Sequence, residues 1–204
     1  MTETDIANMA LSRLGERRIS DISENSPSAI SCRTHYEVVR DSLLRSHPWN
    51  FATARATLSA TTTPEFKWAY AYTLPAGFLR LSTFNGKEAD AAISEYRVEG
   101  NEILTDANSA SITYVQKVSD PTLFDSLFLE VIVFRLASAI AMDITSEPTT
   151  RDNMEQLAAM RMQDASFVDA NENKARVQSP TSERTSRVRG IPQGLAYPYD
   201  TQNP

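Results

Sequence analysis

The stretch Thr122 to Ile144 sets the firmest limit on what this chain can build. Leu123, Phe124, Leu127, Phe128, Val131, Ile132, Phe134, Leu136 and Ile140 spread around most sides of a helix instead of along one stripe. A helix that is apolar all round must be covered by several neighbours, and in an obligate oligomer one of them can be another subunit. Its longest apolar run, Leu127 to Met142, contains Glu130 and Arg135 and is too short and too charged to span a membrane. Asp120-Pro121 opens it: aspartate suits the cap and proline the first helical position.

Three further helices are predicted around it. Thr4 caps the first, with Ile6, Met9, Ala10 and Leu14 on one face and Gly15 as the stop. Glu16 to Pro27 is polar and turn-rich and reads as a loop. The second helix runs from about Ser28 to His47, with Cys32, Tyr36, Val39 and Leu43 on one face. Pro48 ends it, because the residue before a proline avoids helical geometry. Pro148 opens the fourth, with Met154, Leu157, Ala158, Ala165 and Val168 on one face.

Between the second and third helices the character changes. Tyr70–Leu74, Leu79–Phe84, Ser94–Val98, Glu102–Thr105 and Ser111–Lys117 read as strands, and Asn85-Gly86 and Glu99-Gly100-Asn101 as turns. The expected fold is therefore α+β. An antiparallel bundle of about four helices (1–51 and 119–172) carries a small inserted antiparallel sheet domain (52–118), followed by an extended C-terminal tail (173–204).

That tail has its own composition. Pro180, Pro192, Pro198 and Pro204 interrupt it, and it shows no helical period. Lys174, Arg176, Arg184, Arg187 and Arg189 against Glu183 and Asp200 give five positive and two negative charges, or +3. The whole chain carries −6, so residues 1–172 carry −9. An acidic body of this kind speaks against tight, non-specific DNA binding through a general basic face. The tail cannot bury enough apolar surface to fold alone. Either it is simply disordered, or its Ile191, Leu195, Tyr197 and Tyr199 anchor it to a partner's sheet edge or groove, with Arg184, Arg187 and Arg189 meeting acidic groups.

Chemistry is sparse. His35 and His47 are twelve residues apart and cannot share a metal through one helix, so no metal site or cofactor is expected. No dinucleotide fingerprint, phosphate loop or nucleophile elbow occurs, and no catalytic residue is nominated. Glu88 and Asp90 read as a solvated loop pair, and Cys32 as a small buried hydrophobe. A lone cysteine allows no internal disulfide, and the first residues lack the basic-then-apolar order of a signal peptide, so a soluble protein made in the cytoplasm is expected. His47, Pro48, Trp49 and Phe51 are expected to act as a structural anchor: a helix stop followed by two large aromatics that pin the next segment to the core.

Several ordered motifs occur together. They are Ala10-Leu-Ser-Arg-Leu-Gly15; Tyr36-x-x-Val39-Arg-Asp-x-Leu-Leu-Arg-x-His-Pro-Trp-Asn-Phe51-Ala-x-x-Arg55; Tyr72-x-Leu-Pro75; Leu79-Arg-Leu81; Tyr96-x-Val-Glu-Gly100; Ile103-Leu-Thr-Asp106; and Val118-x-Asp-Pro121-x-Leu-Phe-Asp125. Taken in order over Thr4 to Ala165, this set resembles the tail tubular protein A family of tailed bacteriophages, within the wider group of head-to-tail connector adaptors. The resemblance implies a structural virion protein and not an enzyme. It implies a homo-oligomeric ring, typically of twelve copies, beneath the portal protein. Such a ring extends the DNA channel and docks the tail nozzle or the next tail component. Genomic DNA passes through the lumen without sequence-specific recognition, and no membrane is involved. The protein would then reside at the head–tail interface of the virion, with its tail reaching along the portal. From the residues alone, a DNA-binding module with a basic C-terminal arm is the alternative, and a small wall-degrading hydrolase is a third reading.

Overall fold

The computed structural model describes residues 1–64 and 67–172. Four α-helices are present: α1 (Glu3–Arg13), α2 (Pro27–Ser46), α3 (Ser126–Thr145) and α4 (Pro148–Glu172). Between α2 and α3 lie β1 (Thr53–Leu58), β2 (Ala60–Thr62), β3 (Tyr70–Thr73), β4 (Phe78–Phe84), β5 (Lys87–Glu88), β6 (Tyr96–Glu99), β7 (Glu102–Thr105) and β8 (Ala110–Gln116).

The helix ends follow local hydrogen-bonding chemistry. Thr2, not Thr4, caps α1: its hydroxyl accepts from the Asp5 N–H at 3.2 Å, and the Asp5 carboxylate accepts from the Thr2 N–H at 2.7 Å. That reciprocal box satisfies two orphan donors at once, while Thr4 Oγ1 accepts from the Ile22 N–H at 3.2 Å and ties down the following loop. Ser26 caps α2, with Pro27 in its first turn. The expected start of α3 at Thr122 lies too early. Asp120-Pro121 opens a short 3-10 turn, Pro121–Leu123, and Asp125 caps the helix proper by accepting from the N–H of Leu127 at 2.8 Å.

The expected architecture, a helical bundle with a small inserted sheet, is not what forms. The strands build two four-stranded antiparallel sheets, ordered β1-β8-β4-β5 and β2-β3-β7-β6. They have a core of their own, made from Tyr72, Leu74, Leu81, Phe84, Ala92, Ile103, Ala110, Ile112 and Tyr114. The α+β mixture holds, but the β part is a layered structure and not an appendage.

The physical reason lies in β1 and β2. Thr53–Leu58 alternates Thr, Ala, Arg, Ala, Thr and Leu, without the β-branched or aromatic inner face that marks a strand. Its inward residues, Ala54, Ala56 and Leu58, pack on the sheet core only because β8 pairs along the whole strand, from Thr53↔Val115 to Leu58↔Ala110. With Ser59 alone intervening, the chain then crosses from the first sheet into the second at β2. Long-range pairing thus overrides weak local propensity.

The first sheet is the middle layer. Successive residues of a strand face opposite sides, and β8 uses both: Ile112 and Tyr114 enter the sheet core, whereas Val115 joins the helical core. The helical core is built around α3, with Phe128, Val131, Ile132, Leu136, Ala137 and Ile140 buried against residues of α1, α2 and α4.

Candidate functional site

The most distinctive local structure is the junction where α2 ends. His47 is extended, as the following proline requires, and the backbone then makes a 3-10 turn over Asn50–Ala52 before entering β1. Trp49 is fully buried, and its indole N–H donates to the Leu43 carbonyl at 2.9 Å, satisfying the polar edge of the ring. Around it His47 packs edge-on at 4.7 Å between centroids and Phe128 at 5.1 Å, while Phe51 touches both Phe124 and Phe128.

Asp169, on the last turns of α4, completes the junction. His47 Nε2 donates to Asp169 Oδ2 at 2.8 Å, and the Asn50 N–H donates to Asp169 Oδ1 at 3.0 Å. Asn50 Nδ2 also donates to the Asp169 carbonyl at 3.0 Å. Sequence reasoning missed Asp169, since nothing local links it to a motif far upstream. The one usable signal was an aspartate falling among the inward positions of α4.

Next to this junction, α2 is fastened to β4 by two arginines. Arg45 donates to the Leu79 carbonyl, and Arg80 donates to the carbonyls of Arg45 and Ser46 at 3.2 and 3.1 Å. Arg80 thereby satisfies orphan acceptors at the helix C-terminus, where positive charge is favoured.

The structure does bring together a serine, a histidine and an aspartate. Ser31 Oγ donates to Asp143 Oδ2 at 2.6 Å, and His35 Nε2 lies 3.6 Å from the same oxygen. The carboxylate stands between the other two. A catalytic triad needs the histidine between hydroxyl and carboxylate, so that the imidazole can take the hydroxyl proton. Here the hydroxyl is a donor to the carboxylate, and the arrangement links α2 to α3. Cys32, one residue away, is buried, and burial pushes its thiol from an ordinary 9.0 up to about 11. A thiol held protonated is a poor nucleophile. Among the described residues no group of three or more His, Cys, Asp or Glu side chains is placed to hold a metal ion, and no helix is long and apolar enough to cross a membrane.

The outward face of α4 is chemically different from the rest of the helical layer. Ala158, Ala165 and Asp169 turn inward, with Met154 and Met162 beside them. Leu157 and Val168, expected on that same face, turn outward. Leu157, Met160, Phe167 and Val168 are 37, 63, 69 and 41% exposed. At 100° per residue they fall on a single side of the helix. The positions Leu157, Met160, Asp164 and Phe167 are spaced three, four and three residues apart, the seam spacing with which one helix receives another. A second apolar pair, Ile30 and Val38, stands out from α2.

The residues nominated for a partner, Arg184, Arg187, Arg189, Ile191, Leu195, Tyr197 and Tyr199, lie outside the described residues. No protein-family model matches the chain, and no curated protein matches it.

Proposed function

We propose that this chain is a structural virion protein: a head-to-tail adaptor that assembles into a ring, of about twelve copies in such adaptors, under the portal of a tailed bacteriophage. In that ring it extends the DNA channel and offers a docking surface to the tail nozzle or the next tail component. The ordered motif set from Ala10 to Asp125 supports the class.

The observation that carries the assembly part of the reading is the apolar seam on α4. Large apolar side chains aligned on one helix face mark a surface that another protein covers. A second exposed apolar pair, on α2, gives the molecule two different faces to offer its neighbours. Contact between unlike faces is heterologous, which is the geometry that closes rings. The Ser31–Asp143–His35 order and the protonated Cys32 also favour structural work over catalysis.

The test is electron microscopy of the purified protein mixed with portal rings. A single added layer with the portal's rotational symmetry is the expected result. Absence of added density at concentrations that saturate other tail components would reject the reading.

A further inference from the structure

The face of the first sheet that meets the helices at Val115 carries, further along the strands at Thr113 and Ser111, a groove of about 320 Å³ that none of the interactions above uses. Cross-strand register builds it from one row. Arg55 on β1 lies opposite Thr113 on β8, Thr113 lies opposite Thr83 on β4, and Thr83 lies opposite Glu88 on β5. Residues directly opposite share a face of the sheet. Thr57, two positions beyond Arg55, faces the same way and lies opposite Ser111.

The hydrogen-bonding capacity of this row is unspent. Arg40, Arg45 and Arg80 all donate to carboxylates or carbonyls. Among the described residues nothing pairs with the exposed Arg55 guanidinium, and the hydroxyls of Thr57, Thr83 and Thr113 make no bond. Ser111 is committed, donating to Asn85 Oδ1 at 3.2 Å. Glu88 closes the far end of the row. Three strand spacings separate it from Arg55, about 14 Å, too far for an ion pair.

A planar fork of donors beside rotatable hydroxyls suits an oxyanion with several oxygens, above all a phosphate. The groove is open, and it offers no aromatic platform on which a base could stack. It therefore reads a backbone and not a sequence.

We propose that this groove is a contact point for the phosphodiester backbone of nucleic acid, with one phosphate held by Arg55 and the hydroxyls of Thr57 and Thr113. The oxyanion site stands on the groove itself; the choice of nucleic acid as its source rests on the channel reading above. With a single cation the contact is weak, as suits a surface that DNA slides past.

The experiment is a nuclear magnetic resonance titration of the full isotope-labelled chain, with inorganic phosphate in one arm and duplex DNA in the other. Phosphate shifts the signals of Arg55, Thr57 and Thr113. Arg55→Gln weakens the effect about tenfold, while Arg55→Lys retains part of it. DNA shifts the same signals, and the logarithm of the affinity read there falls with the logarithm of salt at a slope of about −1, one phosphate's worth. The exposed position of Arg55 keeps both variants folded, and unchanged signals elsewhere in the spectrum verify this. If phosphate leaves the three residues unmoved, the site is overturned. If phosphate moves them and DNA moves only residues outside the groove, the nucleic-acid assignment falls while the oxyanion site survives. Neither outcome depends on whether rings form on the portal.

Discussion

His47 and Asp169 meet at 2.8 Å across 122 positions of sequence, joining the end of α2 to the last turns of α4. The same carboxylate receives the Asn50 N–H, so it serves two donors in a part-buried setting. Asp169→Ala removes the carboxylate that accepts from both and lowers unfolding free energy by about 2–3 kcal/mol. Asp169→Asn keeps an oxygen for the Asn50 N–H and loses about half as much. Urea denaturation with an unchanged slope checks both values.

Asp41 performs a comparable task between the helices and the first sheet. Its carboxylate accepts from the buried Arg40 Nε at 2.8 Å and from Lys117 Nζ, just past β8, at 3.0 Å. Burial alone would raise its pKa, but the hydrogen bonds from Arg40 and Lys117 outweigh burial and hold it below the ordinary 3.8. A depressed folded pKa contributes stability that is full above 3.8 and is lost as pH falls through the lower, folded value. Asp41→Asn should lower stability by about 2 kcal/mol at neutral pH. It should also flatten the acid limb of the stability profile below about pH 3.8; an acid limb as steep as that of the wild type counts against the role.

The α4 seam separates folding from assembly. Replacing Met160 and Phe167 by serine removes exposed apolar surface, and monomer stability should stay within about 0.5 kcal/mol of wild type. Ring formation on portal particles should fall sharply. Thermal unfolding measured beside electron microscopy distinguishes the outcomes, and intact rings from the double variant would remove the seam from the interface.

Cys32 should behave as a core residue. Its raised pKa means the folded state holds the thiol proton more tightly than the unfolded chain does. The stability this gives is full below pH 9.0 and is lost as pH rises to about 11. A thiol reagent at pH 8 should label it only as fast as the protein opens, and Cys32→Ala should flatten the alkaline limb of the stability profile. Rapid labelling of the native protein would contradict the burial.

The parts of the fold legible in sequence are those governed by contacts close along the chain. Pro48 and Pro148 mark helix boundaries because proline restricts the backbone at and before itself, whereas Pro27, read as the end of a loop, is the first residue of α2. The β6–β7 hairpin is announced by Gly100, whose φ of +57° suits a residue without a Cβ. Boundaries failed where two competing signals lay close together, as at Thr2 against Thr4 and Asp125 against Asp120. Thr2 completes the reciprocal box with Asp5, whereas Asp120 and Asp125 both cap, one the 3-10 turn and the other the helix after it.

The sequence by itself determined that α3 would be central, because no amphipathic arrangement can expose a helix apolar on most sides. It also determined that a junction rich in aromatics would follow α2. Only the tertiary structure decided that β1 exists, that the strands divide into two sheets, and that Asp169 meets His47. The same holds for Leu157 and Val168 facing outward and for Arg55 sharing a row with Thr113 and Thr83. Each of these depends on pairing or packing between residues far apart in the chain. Such contacts form only when the whole layered core is assembled, so no local propensity encodes them.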